Sequence, residues 1–387
     1  MRKPRQSYSK LSFFLALCLP LCIIISAFFL AKPFSKNCGK IVLAFAGASM
    51  PEGSINMFKS DINGNSQVES VINQSNIEKP KTNQEEQQIT QNTQTFPYNQ
   101  TQTPPDILKL IEEAKEKQAK ASKSGPIVEK DYTNANVTYS YGNVKVRNVT
   151  DTKSVNIKST IAQKADLAIP DKTKPTVLIY HTHTTEAYEI LDRGWYSKDF
   201  NTRSKNPNTN MVRVGLAIKQ RLEASGFVVL HDTDIHDTSY NGSYDRSRVC
   251  IEKYKKEYPT LKVIIDVHRD GIINKDGVKT KPVAKISGKK AAQIMIITGC
   301  QEGKVKEFKD WEQNLVFALQ LQKKAEDLYP GLMRPVYFSP RKYNMDTSHC
   351  GVLLEMGSDA NTLEEAVYSG ELIGNAMASL MNDYVAS

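Results

Sequence analysis

Short apolar runs alternate with amphipathic helical segments from about residue 175 to the end of the chain, and no other feature constrains the fold as strongly. The runs are rich in Val, Ile and Leu at successive positions, as expected of strands that are covered on both faces. The alternation predicts an α/β fold with a mostly parallel, twisted central sheet and helices on both faces. The predicted strands are "TVLIY" (176–180), "FVVLH" (227–231), "KVIIDV" (262–267), "IMIIT" (295–298 with its flanks), "PVYF" (335–338) and "GVLLE" (351–355).

The segments between these runs have the period of helices that pack one face on a core. In "NMVRVGLAIKQRLEAS" apolar residues recur at three- and four-residue spacing from Met211 to Leu222, and Gly226 follows as a stop. A second helix is predicted in "WEQNLVFALQLQKKAEDLY". A third begins at the capping box formed by Thr362 and Glu365.

The first 31 residues have the pattern of a membrane anchor. Four basic residues precede the uncharged stretch "LSFFLALCLPLCIIISAFFLA", which as a helix spans about 30 Å and crosses a bilayer core. We therefore expect a basic cytoplasmic tail (1–10), a single transmembrane anchor (11–31) and an extracytoplasmic chain beyond it. A cleavable signal peptide is the alternative, although its apolar core usually has only roughly 7–15 residues.

A polar region separates the anchor from the α/β domain. Residues 32–129 are predicted to be a flexible linker, because Asn, Gln and Thr dominate residues 52–106 and leave too little apolar surface for a core. Within it, residues 106–123 have the composition of a short helix. The alternation in "ANVTYSYGNVKVRNVT" predicts a small β-rich lead-in at 130–172. The α/β domain then takes residues 173–387.

Charge and cysteine usage narrow the class of function. The formal net charge of +9 is spread along the chain, which suits weak attraction to an anionic surface such as a bacterial wall or lipid headgroups. Nucleic acid is not expected as a partner of a chain that lies outside the membrane. The six cysteines include no C-x-x-C pair, so neither a disulfide framework nor a thiolate metal site is predicted.

Side chains suited to metal binding or acid–base chemistry stand near the ends of three predicted strands. The carboxyl ends of parallel strands form one edge of an α/β sheet, where sites gather. Neutral imidazoles and a carboxylate from distant segments are the ligands of a catalytic zinc ion, with one position left for water. The pattern therefore predicts a zinc site at this edge. The candidate residues are His181, His183 and Glu186, then His268, Arg269 and Asp270, and finally His349 and Glu355.

The segment "HTHTTE" leaves two assignments open. In an extended chain His181 and His183 point to the same side, and a turn after the strand would bring Glu186 onto the side of His183. The metal ligands are then His183, Glu186 and His268. Alternatively, His181 is the ligand, or it orients the site from outside the ligand shell.

The other candidates also have structural interpretations. An isolated histidine is usually a hydrogen-bonded structural residue, and this is our interpretation of His231 and His236. Arg269 and Asp270 could simply pair with each other. Glu355 ends an otherwise apolar strand, where a carboxylate without a role in a site would be costly to bury.

Three motifs taken together resemble the stage II sporulation protein P (SpoIIP) family of endospore-forming bacteria. They are "VLIYHTHTTEAY", "VIIDVHRDG" and "VLLEMGSDANTLEEA", in that order, and the similarity covers about residues 170–385. Members of the family are membrane-anchored peptidoglycan hydrolases related to zinc-dependent N-acetylmuramoyl-L-alanine amidases. The resemblance therefore implies an amidase-like fold behind an anchor and a tether, with zinc as the cofactor.

The resemblance also implies roles for individual residues. It makes His183 and His268 zinc ligands and makes Glu355, in "LLEMG", the catalytic base. In the wider amidase family a glutamate that opens the helix after the first strand binds the metal, whereas here that helix begins "NTNMVRVG" without an acid. Glu186 is the replacement that the sequence offers.

The remaining candidates lie in or near the resembled motifs. Arg269 is expected to act in catalysis or to support His268, and Asp270 and His349 are expected to contact the substrate. The resemblance implies release of stem peptides from glycan strands during forespore engulfment, from the mother-cell membrane. A lytic transglycosylase and a membrane protein of the engulfment machinery are the implied partners, and the family is also credited with endopeptidase activity.

Two other functions remain open at this level. One is a non-catalytic, membrane-tethered module that binds the wall or serves as a scaffold. The other is a different metallohydrolase of the wall, such as a carboxypeptidase or a deacetylase.

Overall fold

An eight-stranded sheet organises the computed structural model of the protein, which describes residues 102–386. The described strands are β1 (Gly125–Lys130), β2 (Tyr139–Tyr141), β3 (Val144–Asn148), β4 (Pro175–Tyr180), β5 (Trp195–Tyr196), β6 (Val228–His231), β7 (Val263–Asp270), β8 (Lys279–Ile286), β9 (Lys289–Ala292), β10 (Ile294–Gly299), β11 (Val336–Ser339) and β12 (Cys350–Ser358). The described helices are α1 (Pro105–Lys117), α2 (Ile157–Ile161), α3 (Met211–Ala224), α4 (Ser243–Glu257), α5 (Trp311–Leu328) and α6 (Leu363–Asn382), and Met345–Thr347 form a 3₁₀ turn.

The large sheet has the strand order β2-β3-β11-β10-β12-β7-β4-β6. Its pairs are parallel except at β2–β3 and β10–β12, which are antiparallel. The predicted α/β fold with a mostly parallel central sheet is confirmed. A second sheet of four strands has the order β5-β1-β8-β9.

Alternate residues of the central strands enter two separate cores. In β4, Val177 and Ile179 join the large core with α3, α5 and α6, whereas Leu178 and Tyr180 pack with Ile251 of α4 on the opposite face. The period of two in a strand produces this division. Helices therefore lie on both faces of the sheet, as predicted.

The structure differs from the sequence interpretation just before the lead-in. The sequence predicts a linker as far as residue 129, yet α1 and β1 belong to the fold. Ile107 is 1% exposed in the large core, and Asp106 pairs with Arg213 of α3 at 2.6 Å. The helix predicted at 106–123 ends at Lys117, and its apolar residues pack on the core. Average composition did not reveal this packing, because a few apolar residues are diluted by the polar ones around them.

Within residues 102–386 no helix has the length and apolar character needed to span a bilayer. The predicted tail (1–10), the anchor (11–31) and linker residues 32–101 lie outside the described residues.

Candidate active site

The site forms where three adjacent parallel strands approach their carboxyl ends. Glu355 of β12 lies opposite His268 of β7, and Tyr180 at the end of β4 lies opposite Asp266 of β7. Adjacent strands are about 4.8 Å apart, so this register brings the end of β4 beside His268 and Glu355. The order β12-β7-β4 is what gathers residues that are far apart in the sequence.

The chain turns as soon as β4 ends, and this turn separates the two histidines of "HTHTTE". His181 continues the strand alternation toward α3, whereas a turn closed by a bond from Glu186 N to His183 O at 3.0 Å carries His183 to the opposite face. The expectation that both imidazoles point to one side is therefore wrong. It assumed an extended backbone, but the strand stops at Tyr180.

His181 has partners for both ring nitrogens. Its Nδ1 donates to Val267 O at 3.0 Å, and its Nε2 lies 2.9 Å from His231 Nε2. Burial lowers the pKa of His181 to about 4 and that of His231 to about 3, so both rings are neutral. A Cβ on Gly215 of α3 would lie 2.7 Å from each ring, so only glycine lets the helix approach this pair.

The imidazole of His183 is buried among aromatic rings. It is 2% exposed, and neither ring nitrogen has a partner among the described residues. Its ring stacks on Tyr240 at 4.5 Å between centroids and meets the rings of His268 and Tyr244 edge-on at 5.3 and 5.8 Å. Burial lowers its pKa well below the usual value, so the imidazole is a neutral donor for a metal.

His268 is oriented by a carboxylate behind it. Its Nε2 lies 2.8 Å from Asp266 Oδ1 in an ion pair, and its Nδ1 faces Glu186 Oε2 at 3.6 Å. Thr182 holds Asp266 through its backbone N at 2.9 Å and its hydroxyl at 2.6 Å. A carboxylate behind a histidine fixes the ring and leaves the other nitrogen for the site.

Surrounding charges decide the protonation of His268. Burial alone lowers its pKa, but Asp266, Glu186 and Glu355 together raise it to about 9. The acids that surround this ring therefore favour a positive charge at its position.

The two glutamates of the site differ in their partners. Glu186 Oε2 accepts a bond from Arg269 N at 3.2 Å, and its Oε1 lies 3.9 Å from Arg203. Glu355 is fully buried, and within residues 102–386 neither of its oxygens has a hydrogen-bond partner. Burial raises the pKa of Glu355 well above the usual range, and the nearby Asp270 adds to the rise, while His268 opposes it.

The side chains of Arg269 and Asp270 lie beside the site, and both form contacts with other residues of the chain. The Arg269 guanidinium donates to Ala187 O and Thr202 O at 2.9 Å each, which fixes the loop after Glu186. Asp270 pairs with Arg334 at 3.1 Å. The sequence interpretation that these two side chains pair with each other is not what the structure shows, since each has a partner elsewhere.

The structure does not bring His349 to this cluster. His349 precedes β12 and pairs with Asp166 at 2.5 Å, and its other nitrogen lies 3.6 Å from Asp310. From Cys350 to Glu355 the strand rises about 16 Å at roughly 3.3 Å per residue. His349 is therefore at the opposite edge of the sheet, because it stands before its strand and not after it.

Several residues around the site were missed from the sequence. Asp266 could have been found, because D-x-H on a strand places both side chains on one face. The three tyrosines Tyr240, Tyr244 and Tyr343 form a wall beside the histidines: Tyr244 stacks on Tyr343 at 5.0 Å and on His268 at 6.4 Å. Tyrosine is common in cores, so nothing in the sequence marked them.

Among the described residues, two groups of three metal-competent side chains have ligand atoms within 4.8 Å of one another, Asp232 with His236 and Cys250, and Glu129 with Asp192 and Glu365. The set of His183, Glu186 and His268 is less tightly gathered and is not one of these groups. In the first, His236 Nε2 and Asp232 pair at 2.6 Å, which agrees with the structural interpretation of His236. In the second, the ammonium of Lys281 lies among the three carboxylates at 2.7–3.3 Å. Both groups already have internal partners.

The side chains gathered at the site are of the types that bind zinc. His183 offers nitrogens that no described residue satisfies, Nδ1 of His268 faces Glu186, and acids surround the position. Two imidazoles and a carboxylate are the donor set of many catalytic zinc sites.

Comparison with known proteins gives a family match over most of the chain. The family described as "Stage II sporulation protein P (SpoIIP)" matches residues 45–378. A stage II sporulation protein P of Bacillus subtilis (strain 168) is 34% identical over 230 residues, which are 56% of this chain and 54% of the relative. The matched stretch thus spans about half the length of that curated relative.

Solved structures of amidases also align with the chain at low similarity. The CwlD amidase from Clostridioides difficile, in complex with the GerS lipoprotein, is 14% identical with a TM-score of 0.34 and covers 54% of this chain and 98% of its own. The catalytic domain of CwlV, an N-acetylmuramoyl-L-alanine amidase from Bacillus (Paenibacillus) polymyxa var. colistinus, is 16% identical with a TM-score of 0.32. It covers 54% of this chain and 97% of its own.

Proposed function

The chain belongs to the stage II sporulation protein P family, and we propose that it is a zinc-dependent peptidoglycan hydrolase that cleaves the amide bond between N-acetylmuramic acid and L-alanine. One observation carries the proposal. Beside His268 and Glu186, the buried nitrogens of His183 and the buried oxygens of Glu355 lack partners within residues 102–386. A buried polar atom without a partner costs about 1–3 kcal/mol, so several at one point indicate a ligand that completes them.

The zinc ligands in this proposal are His183, Nδ1 of His268 and a carboxylate oxygen of Glu186. His181 is not a ligand, because both of its nitrogens are engaged. Its role is indirect: its Nδ1 donates to the carbonyl of Val267, the residue before His268, and so helps to position that ligand. Zinc, when bound, lowers the pKa of a coordinated water toward about 7 and polarises the amide carbonyl.

Glu355 is the general base and then the general acid. It accepts a proton from the attacking water and returns that proton to the L-alanine nitrogen as the C–N bond breaks. Its raised pKa suits both steps, since a stronger base accepts the proton and the resulting acid can donate it. Asp266 keeps His268 in one orientation throughout.

The location and partners are part of the same proposal. Residues 11–31 anchor the protein in the mother-cell membrane, and the linker lets the domain reach the wall over a distance that grows as about 5–6 Å × √n. The net charge of +9 suits the anionic wall. A lytic transglycosylase and a membrane protein of the engulfment machinery are the proposed partners, as the resemblance to the family implies.

The test uses full-length protein in detergent with purified peptidoglycan. We expect products with a free L-alanine amino group and a free lactyl carboxyl on muramic acid, identified by mass spectrometry. His183→Ala, His268→Ala and Glu355→Gln are each expected to lower product formation by at least about 10²-fold. His349→Ala is the matched control and is expected to keep full activity, because His349 lies at the opposite edge of the sheet.

Three outcomes would contradict the proposal. Full activity in any two of the site variants would remove the site from catalysis. Release of D-alanine or acetate without a new L-alanine terminus would indicate a carboxypeptidase or a deacetylase. Tight binding to sacculi without any product, and with no bound zinc, would indicate a scaffold.

A further inference from the structure

The hydroxyl of Tyr343 is buried beside the site and has no hydrogen-bond partner within residues 102–386. Tyr343 is 9% exposed, and its oxygen and that of Tyr244 are unsatisfied among the described residues. A buried tyrosine usually finds a partner for its O–H. Both rings adjoin the histidines, since Tyr244 contacts the rings of His183 and His268 and Tyr343 stacks on Tyr244.

The backbone at this position is strained. Tyr343 has φ of +42° and the following Asn344 has φ of +58°. A bulky residue rarely adopts the left-handed region, and such strained conformations cluster at functional sites. Two successive left-handed residues turn the Tyr343 ring onto Tyr244, at 5.0 Å between centroids.

A continuous set of hydrogen bonds ties this strained turn to the metal-binding face. Asn344 Nδ2 donates to Ser247 Oγ at 3.1 Å, and Ser247 Oγ lies 2.9 Å from Thr182 Oγ1. Thr182 Oγ1 donates to Asp266 at 2.6 Å, and Asp266 pairs with His268 at 2.8 Å. The position of Tyr343 is therefore set relative to His268 by buried contacts.

Tyr343 remains a hydrogen-bond donor at any working pH. Burial raises the pKa of its hydroxyl well above the usual value, and the negative charge of Glu355 raises it further, while Arg341 opposes the shift. Tyr343 belongs to the same apolar cluster as Leu353, which precedes Glu355 by two residues and therefore lies on the same face of β12 as the proposed base. No described residue accepts the Tyr343 proton, so an acceptor from the substrate would satisfy it.

We infer that Tyr343 is a further catalytic residue, whose hydroxyl donates a hydrogen bond to the carbonyl oxygen of a muramoyl-L-alanine peptide as that oxygen gains negative charge. The inference rests on the proposed function. Water forms a bond to the carbonyl carbon, its proton passes to Glu355 and then to the leaving nitrogen, and the C–N bond breaks. Tyr343 keeps its own proton throughout and only stabilises the charge that develops.

The test compares Tyr343→Phe with wild type on a soluble muramoyl-peptide fragment, so that kcat and KM are measured separately. The substitution removes one oxygen and keeps the ring that stacks on Tyr244. We expect kcat to fall roughly 10²-fold, as for the loss of one oxyanion donor, with little change in KM, zinc content and Tm. Tyr258→Phe is the matched control and should keep full activity, because Tyr258 packs with the cluster between β4 and α4.

The outcomes separate this inference from the function on which it rests. If Tyr343→Phe keeps kcat within about twofold while Glu355→Gln is inactive, the role of Tyr343 is overturned and the hydrolase stands. If Tyr343→Phe loses zinc or unfolds, the residue is structural and the inference is equally overturned. A wild-type protein that yields no free L-alanine terminus overturns both.

Discussion

Two groups of acidic side chains in this protein differ in how their buried charge is compensated. Around Lys281, the carboxylates of Glu129, Asp192 and Glu365 lie 2.7–3.3 Å from one ammonium, which is nearly fully buried. At the candidate active site Glu355 is fully buried, and within residues 102–386 neither of its carboxylate oxygens has a hydrogen-bond partner.

The comparison teaches how to tell a structural cluster from a functional one. Charged groups that serve only the fold carry their counter-ions with them, because an uncompensated buried charge is strongly destabilising. Donors that stay buried and unsatisfied are kept for something that binds. By this criterion we propose that the group at Lys281 is structural and that the group at His183 is functional.

Glu355→Gln gives the largest expected effect and tests the functional side of the comparison. Hydrolysis should fall by about 10³-fold or more, because the amide cannot accept the proton of water. The free energy of unfolding should not fall, since the change removes a buried carboxyl that has no partner in residues 102–386. Product assays and thermal melts of the same preparation measure both. A large loss of stability would mean that Glu355 supports the fold.

Lys281→Met tests the structural side. Removing the ammonium leaves buried Glu365 uncompensated, so the free energy of unfolding should fall by about 3 kcal/mol, while folded protein keeps its hydrolytic rate. Denaturant unfolding measures the loss. Lys290→Met is the matched control, because Lys290 pairs with the same Glu129 and Asp192 but is 45% exposed, and the expected loss is below about 1 kcal/mol.

Asp266→Asn tests a residue that has hydrogen-bond partners within the fold and also orients a proposed zinc ligand. Losing the carboxylate behind His268 should weaken zinc affinity by about 10–100-fold, measured by competition with a chelator. Asp192→Asn, in the Lys281 group, should leave zinc affinity unchanged. Equal affinities for wild type and Asp266→Asn would show that His268 does not bind the metal.

The smallest expected effect is the pH dependence of the free energy of unfolding that arises from the buried pair of His181 and His231. Burial holds the pKa of His231 at about 3 in the fold, whereas the unfolded chain titrates near 6.5. The unfolded state therefore binds more protons between these values, and stability is lost as pH falls below about 6.5. Between pH 7 and pH 5 we expect a loss of roughly 1–2 kcal/mol from this residue.

His231→Gln should reduce that loss, as measured by denaturant unfolding at both pH values. An identical pH dependence in wild type and variant would mean that His231 is protonated in the fold.

Much of the candidate site could be predicted from the sequence, because the pattern of apolar residues shows where each central strand ends. Apolar runs marked β4, β7 and β12, and polar residues just after them marked the edge of the sheet. This reasoning misplaced His349, because His349 precedes its strand and so lies at the opposite edge of the sheet. Asp266 was overlooked although its spacing to His268 was informative, and the tyrosine wall had no signal because aromatic residues are equally common in cores.

The amino-acid order alone indicated the six apolar strands of the large sheet, the helices α3, α5 and α6, the family resemblance and the charged side chains near the strand ends. It gave no indication of α4, β8 or β9. Only the tertiary structure decided which imidazole faces the site, since a turn of a few residues after Tyr180 reverses the direction of His183 relative to His181. It also decided which acids are matched by cations. The physical reason is that partners such as Lys281 and Glu365 are separated by 84 residues, and a contact over that distance depends on how the whole sheet packs.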